Sequence, residues 1–263
     1  FRSTLFAGVM IGYMANYLFP RLGEVSRPVY VARQQGVGSG GMFGTIVVER
    51  AIDLISLGGM LVVIGWFYSR DLEVMNRLLG SGEWAGWMLV LIPGLLLGSL
   101  VVGWFLLGWL KGQRTWLEGI HPLAESVIRF LIQFRDGFIS IQNMKHWPLF
   151  LVYTVGIWFA YTVMTWLPFS MLDLHSSYQL GLKEAMVITV FSAVGVSVPT
   201  PGGAGSYHLL VQQSLWMLYS VPLSAALTYA TITHAITLLL VVLVGALSLW
   251  IDKTWTLNRG IGR

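Results

Sequence analysis

The sequence predicts an all-α polytopic membrane protein: two inverted halves, each with a re-entrant or broken helical hairpin, around a polar cavity. Three observations lead there. The 263 residues are 56% hydrophobic and 11% charged, with a mean hydropathy of +0.70. A soluble domain carries about 25% charged residues, so this chain cannot cover a water-facing surface. Several runs reach the roughly 20 apolar residues that cross a bilayer. Two shorter apolar runs are broken by Pro and Gly at corresponding places, the sequence pointer to a transporter's substrate site.

The elements follow in chain order. A run over 3–19 ends at Pro20, and a moderately polar helix over 24–34 follows. A long run over about 43–68 carries Glu49, Arg50 and Asp53 in its first third. A second crossing covers about 85–110. Over 111–146, Leu117, Ile120, Leu123, Val127, Leu131 and Phe134 recur at helical spacing among charged residues, giving an amphipathic connector or a partner-binding element. A third crossing covers about 147–172. The second short run, 182–198, ends in Pro199-Thr200-Pro201-Gly202-Gly203-Ala204-Gly205, followed by a helix over 206–219 and a crossing over about 222–250. Two re-entrant hairpins would be separated by three crossings, and an odd number inverts the second copy. Two ordinary proline-kinked helices are the plainer alternative. The organisation expected is one transmembrane domain over 1–263, with halves of about 1–110 and 147–263. Phe1 opens directly onto an apolar run without a charged n-region, so no signal peptide is read and the natural start is expected upstream.

Charge placement sets the orientation. With the first hairpin, the 111–146 connector and the C-terminus on one side, that side holds twelve of the 16 Lys and Arg, against Arg70, Arg77 and Lys183 on the other. The positive-inside rule makes the richer side cytoplasmic, in a multi-pass protein of the cell (inner) membrane. Trp84, Trp87, Trp109, Trp147, Trp250 and Trp255 fall near span ends, where interfacial belts form. The net charge of +4 does not indicate nucleic acid, and zero cysteines exclude disulfides, thiolate metal sites and cysteine nucleophiles.

Ionisable residues inside a membrane normally face a cavity or a partner. Glu49 and Asp53 share a helical face, and Arg50 stands three before Asp53. An Arg50–Asp53 pair would leave Glu49 to find a donor such as Arg21 or Arg27. Arg50 then either holds an anionic headgroup or belongs to a structural ion pair. The first break, Asn16 through Arg27, places Asn16, Arg21, Glu24 and Arg27 in a turn too polar for lipid, because unpaired backbone in hydrocarbon costs several kcal/mol per group. Arg21 and Arg27 suit a phosphate, unless the run is a peripheral helix and they sit among headgroups. The second break offers backbone: Pro201, Gly202, Gly203, Gly205 and Ser206 form a Gly-rich turn whose N–H groups, with the following helix dipole, favour an anion. It is no P-loop, since no Gly-Lys-Ser/Thr follows. His208 and His234 lie in or near membrane helices, either buried and hydrogen-bonded or handling a proton or headgroup. No catalytic constellation or metal-ligand pattern is present, so neither enzyme activity nor a cofactor is expected.

Asn16 with Pro20-Arg21-Leu22-Gly23-Glu24 and Arg27, then Glu49-Arg50 with Asp53, then Pro199-Thr200-Pro201-Gly202-Gly203-Ala204-Gly205, resemble in that order the lysylphosphatidylglycerol synthase transmembrane-region family. That family includes the flippase domain of the multiple peptide resistance factor and many stand-alone proteins. The resemblance implies a lipid-handling membrane protein with its site on these residues. Many members carry Glu shortly after the Pro-Gly-Gly turn and Arg in the last span. Here those places read Ser206-Tyr207-His208 and Thr233-His234, which puts headgroup preference in question. The aminoacyl-transferase domain of bifunctional members is absent from this chain, so lysyl transfer is not expected of it. The function expected is translocation of an anionic phospholipid or polyprenyl-phosphate-linked lipid between leaflets. The rival is a non-transporting lipid-binding subunit that scaffolds a larger complex. Membrane lipids are the expected partners, with a homo-oligomer or membrane-complex partner left open.

Overall fold

The computed structural model describes residues 2–36, 38–68 and 146–260, with side chains as far as Ile251. The expected crossing at 85–110 and nearly all of the 111–146 connector lie outside the described residues. The described residues form eight α-helices and no strand: α1 (Arg2–Leu18), α2 (Gly23–Gln35), α3 (Ser39–Tyr68), α4 (Trp147–Met171), α5 (Leu174–Tyr178), α6 (Leu182–Ser197), α7 (Ser206–Tyr219) and α8 (Leu223–Gly260). A 3-10 turn, Pro201–Gly203, sits between α6 and α7. Helix boundaries fall within a few residues of the sequence expectation, except that α8 runs ten residues past 250. The five-residue α5 is an addition, set between Asp173 and Gln179, both with positive φ.

Among the described residues, two helical segments are long and apolar enough to cross a bilayer: α4, at 25 residues, and the 29-residue stretch Leu223–Ile251 of α8. Their outer faces match that role. On α8, Leu239, Leu243, Leu247 and Trp250 are each more than half exposed, and on α4 so are Val152, Val155 and Phe159. Apolar stripes at helical spacing left uncovered are surface for lipid, which a soluble monomer does not present on this scale. Trp147 opens α4 and Trp250 stands near the end of the α8 span, both exposed, as interfacial anchors do.

Two compact units divide the chain: Phe1–Val37 with Val155–Arg263, and Gly38–Thr154. In the first, α1 packs on α2 and α8, and α7 packs on α6 and α8. Its core gathers Phe169, Leu180, Ile188, Val211, Leu215 and Tyr229, all fully or almost fully buried. Phe169 and Tyr229 lie with ring centroids 5.0 Å apart, and Tyr229 Oη donates to the Thr165 carbonyl at 2.6 Å. Thr189 Oγ1 adds a 3.1 Å bond to Thr165 Oγ1, so α4, α6 and α8 are cross-linked at one level. Where water is absent, side-chain hydrogen bonds between helices replace part of what hydrophobic burial supplies in soluble cores.

The α1–α2 hairpin depends on close backbone approach. Gly23 at the start of α2 lies directly against the Gly12 carbonyl of α1, and a Cβ added at Gly23 would come within 2.7 Å of Asn16 Oδ1. The aliphatic stem of Arg27 covers Gly12, whose own added Cβ would meet Arg27 Cβ at 3.2 Å. Small residues at a helix contact allow this approach.

The second unit contributes α3, 30 residues long, with Gly44, Ile46, Val48 and Ala51 buried along its first half.

Candidate functional site

The two broken helices match each other in element order and length. A 17-residue helix, a turn and a 13-residue helix precede the 30-residue α3; a 16-residue helix, a turn and a 14-residue helix precede the 38-residue α8. At 1.5 Å per residue, α1 and α6 are each about 25 Å long, short of a hydrocarbon core of about 30 Å.

At the first tip, α1 stops at Leu18 because Pro20 cannot continue it. Asn16 Oδ1 accepts the Gly23 N–H at 2.7 Å, fastening the start of α2 back onto α1. Arg21 takes φ +58°, a left-handed conformation that a side-chain-bearing residue adopts only under constraint. From there its Nη2 donates to the Ser197 carbonyl at 3.2 Å. Ser197 is the last residue of α6, where helix carbonyls lack partners and the dipole favours a cation. Arg21 is an exposed side chain that commits one N–H to this bond. Glu24 stands exposed in the first turn of α2, the end at which a carboxylate is favoured.

The second tip meets the first at two places. One is the Arg21–Ser197 bond. The other is Gly202, at φ +59°, which lies against the ring of Tyr17. Ser206 ties the turn together, donating to the Gly195 carbonyl at 2.7 Å and pairing with Thr200 Oγ1 at 2.9 Å. Several N–H groups of the Gly-rich turn are already engaged. Gly203 donates to the Thr200 carbonyl, Ala204 to that of Pro201, and Gly205 to His208 Nδ1 at 3.4 Å. The open backbone cradle expected from the glycines is therefore partly filled from inside.

His208 and His234, both expected from sequence, come together with ring centroids 4.9 Å apart. Tyr207 and Tyr17 complete the cluster: Tyr207 lies 5.3 Å from His234, and Tyr17 lies 5.8 Å from it edge-on. Tyr207 Oη pairs with Thr233 Oγ1 at 2.9 Å. Neither tyrosine stands out in the sequence, although each adjoins a residue that does, Asn16 and His208.

On α3, Arg50 bridges both neighbouring carboxylates, at 2.9 Å to Glu49 and 3.1 Å to Asp53. The expected Arg50–Asp53 pair is present, and Arg50 reaches Glu49 as well. Glu49 is paired to Arg50 itself, because a guanidinium fork has enough donors for two carboxylates on one helical turn.

The family model for the lysylphosphatidylglycerol synthase TM region matches residues 2–245. The chain belongs to this family. Membership agrees with the apolar helices in making it a helical membrane protein linked to lipid handling. No curated protein and no solved structure matches it significantly.

Proposed function

We propose that this chain is a lipid translocase that moves an anionic phospholipid or a polyprenyl-phosphate-linked lipid between leaflets. The observation that carries the reading is the junction of the two Pro/Gly-broken hairpins, where the cationic Arg21 of one tip reaches the helix end of the other. Tip-to-tip meeting is what hairpins entering from opposite leaflets produce, and it supports the inverted, re-entrant arrangement. A cation at such a junction is costly unless it serves a ligand or a path.

In this reading Arg21 and Arg27 bind the headgroup phosphate, with Asn16 and Glu24 shaping the first tip. Gly202, Gly203 and Ser206 shape the second, and Arg50 with Glu49 and Asp53 forms a second charged station on α3. His208 and His234 line the junction. The function is transport without chemistry, and the Lys/Arg-rich side faces the cytoplasm.

The test is leaflet exchange of fluorescent anionic lipids in proteoliposomes, read with a membrane-impermeant quencher, for wild type, Arg21→Ala and Arg50→Ala. Thermal unfolding of both variants in the same detergent checks that each is folded. Protein-dependent exchange that falls at least about tenfold in both variants, a barrier change of about 1.4 kcal/mol, supports the translocase and its site. Exchange indifferent to both variants removes the site. No exchange with any anionic probe removes the translocase and favours a lipid-binding subunit.

A further inference from the structure

The two imidazoles at the junction have a geometry that lipid binding alone does not require. His208 stands in the first turn of α7, and Gly205 N–H donates to its Nδ1 at 3.4 Å. Nδ1 therefore presents its lone pair, and the ring proton sits on Nε2. Gly205, at φ +85°, is the residue where the Gly-rich turn becomes α7. A proton arriving at Nδ1 takes the lone pair and sets an N–H against the Gly205 N–H, so protonation acts directly on the hinge of the second hairpin. The bond it displaces is long, and so easily lost.

The same proton would create an imidazolium beside the His234 ring, 4.9 Å away. The titratable groups facing the pair are Tyr17 from α1 and Tyr207 from α7, with each imidazole facing the other. Among the described residues neither ring has a carboxylate within ion-pair distance. Two like charges at this separation oppose one another, so the pair takes its protons one at a time. His234 follows Leu223 by eleven residues along α8, which puts it about 17 Å inside the apolar span. An ionisable group at that depth is a marker of an ion path.

We propose that His208 and His234 form one proton-binding site whose occupancy opens the contact between the hairpin tips. The proposal rests on the translocase reading for its purpose, since it would couple headgroup access to protons.

Two measurements test it in nanodiscs. The chain has 5 His, and labelled imidazole NMR resolves the pair by difference with H208Q and H234Q. Replacing either ring is expected to move the protonation midpoint of the other, as two interacting sites require. The chain has no Cys, so spin labels at Leu18→Cys and Val198→Cys report the tips cleanly. Their separation is expected to lengthen as pH falls in wild type and to stay constant in H208Q. H234N serves the same comparison if H208Q does not fold. Independent titration of the two rings, or a label distance constant with pH in wild type, overturns the proposal. A pH-dependent distance without lipid exchange at any pH upholds the proton site and removes the translocase. Lipid exchange across tips of constant separation does the reverse.

Discussion

Replacing Gly202 by Ala tests the tip junction most directly, because the structure separates its two costs. Gly202 has φ +59° and ψ 13°, so an alanine there carries the left-handed penalty of about 1–2 kcal/mol. Its Cβ would also enter the Tyr17 ring, lying 2.6 Å from Cε1 and 3.0 Å from Cγ. A ring cannot yield at these distances without moving α1, and overpacking of this kind costs about 1–3 kcal/mol. Together the two terms give about 2–5 kcal/mol. Gly36, the C-cap of α2, supplies the control. Its φ is +64°, and an added Cβ there meets nothing within 4 Å, so Gly36→Ala shows the conformational term alone, about 1–2 kcal/mol. The assay is thermal unfolding in one detergent for wild type, both glycine variants, Tyr17→Ala and the Tyr17→Ala/Gly202→Ala double variant. Gly202→Ala is expected to cost more than Gly36→Ala, and Tyr17→Ala is expected to bring the two into line. Equal losses for both glycines, with no relief from Tyr17→Ala, would refute the contact between the tips.

Three further outcomes follow from single contacts. Arg21→Gly is expected to be more stable than Arg21→Ala by about 1 kcal/mol, because glycine accepts the left-handed φ, while both lose lipid exchange alike; unfolding and exchange measured on the same samples separate the two effects. Asn16→Ala removes the acceptor for Gly23 N–H and is expected to cost about 1–2 kcal/mol in thermal unfolding, whereas Asn16→Asp keeps an acceptor and costs less. Tyr229→Phe leaves the Thr165 carbonyl without that donor inside the core, an expected loss of about 1–2 kcal/mol, with the lipid-exchange rate unchanged in the fraction that remains folded.

Much of the fold was legible because a membrane chain announces its helices by length and apolarity, and Pro20 and Pro199 mark where two of them stop. The run 182–198 became α6 over Leu182–Ser197, and 206–219 became α7 with the same limits. Local pairing was legible too, since Arg50 and Asp53 share a helical turn. What was not legible depends on long-range packing. Nothing in the sequence says that Arg21 reaches Ser197, 176 residues away, or that Tyr17 covers Gly202. The contact between Arg50 and Glu49 was not read, because one guanidinium was counted for one carboxylate, whereas its fork reaches both. The glycines of the second break suggested an open anion cradle, but a turn that tight also brings its own acceptors within reach of its N–H groups. The positions of Tyr17 and Tyr207 depend on how α1 and α7 lie against α8, and no local pattern carries that.

The length of α8 has a consequence of a different kind. Its apolar stretch of 29 residues measures about 43 Å along the axis, against about 30 Å of hydrocarbon. A segment that long settles by leaning, bending or thickening the lipid around it, at a cost of fractions of a kcal/mol per Å of mismatch. The slack makes the helix a gauge of its surroundings: longer acyl tails would stand it more upright, and shorter ones would lay it further over. His234 rides on that helix, while His208 belongs to the hairpin beside it. If the hairpin did not follow the tilt of α8, bilayer thickness would change the separation of the two rings and, on the proposed coupling, bear on the junction with no change in headgroup, pH or sequence.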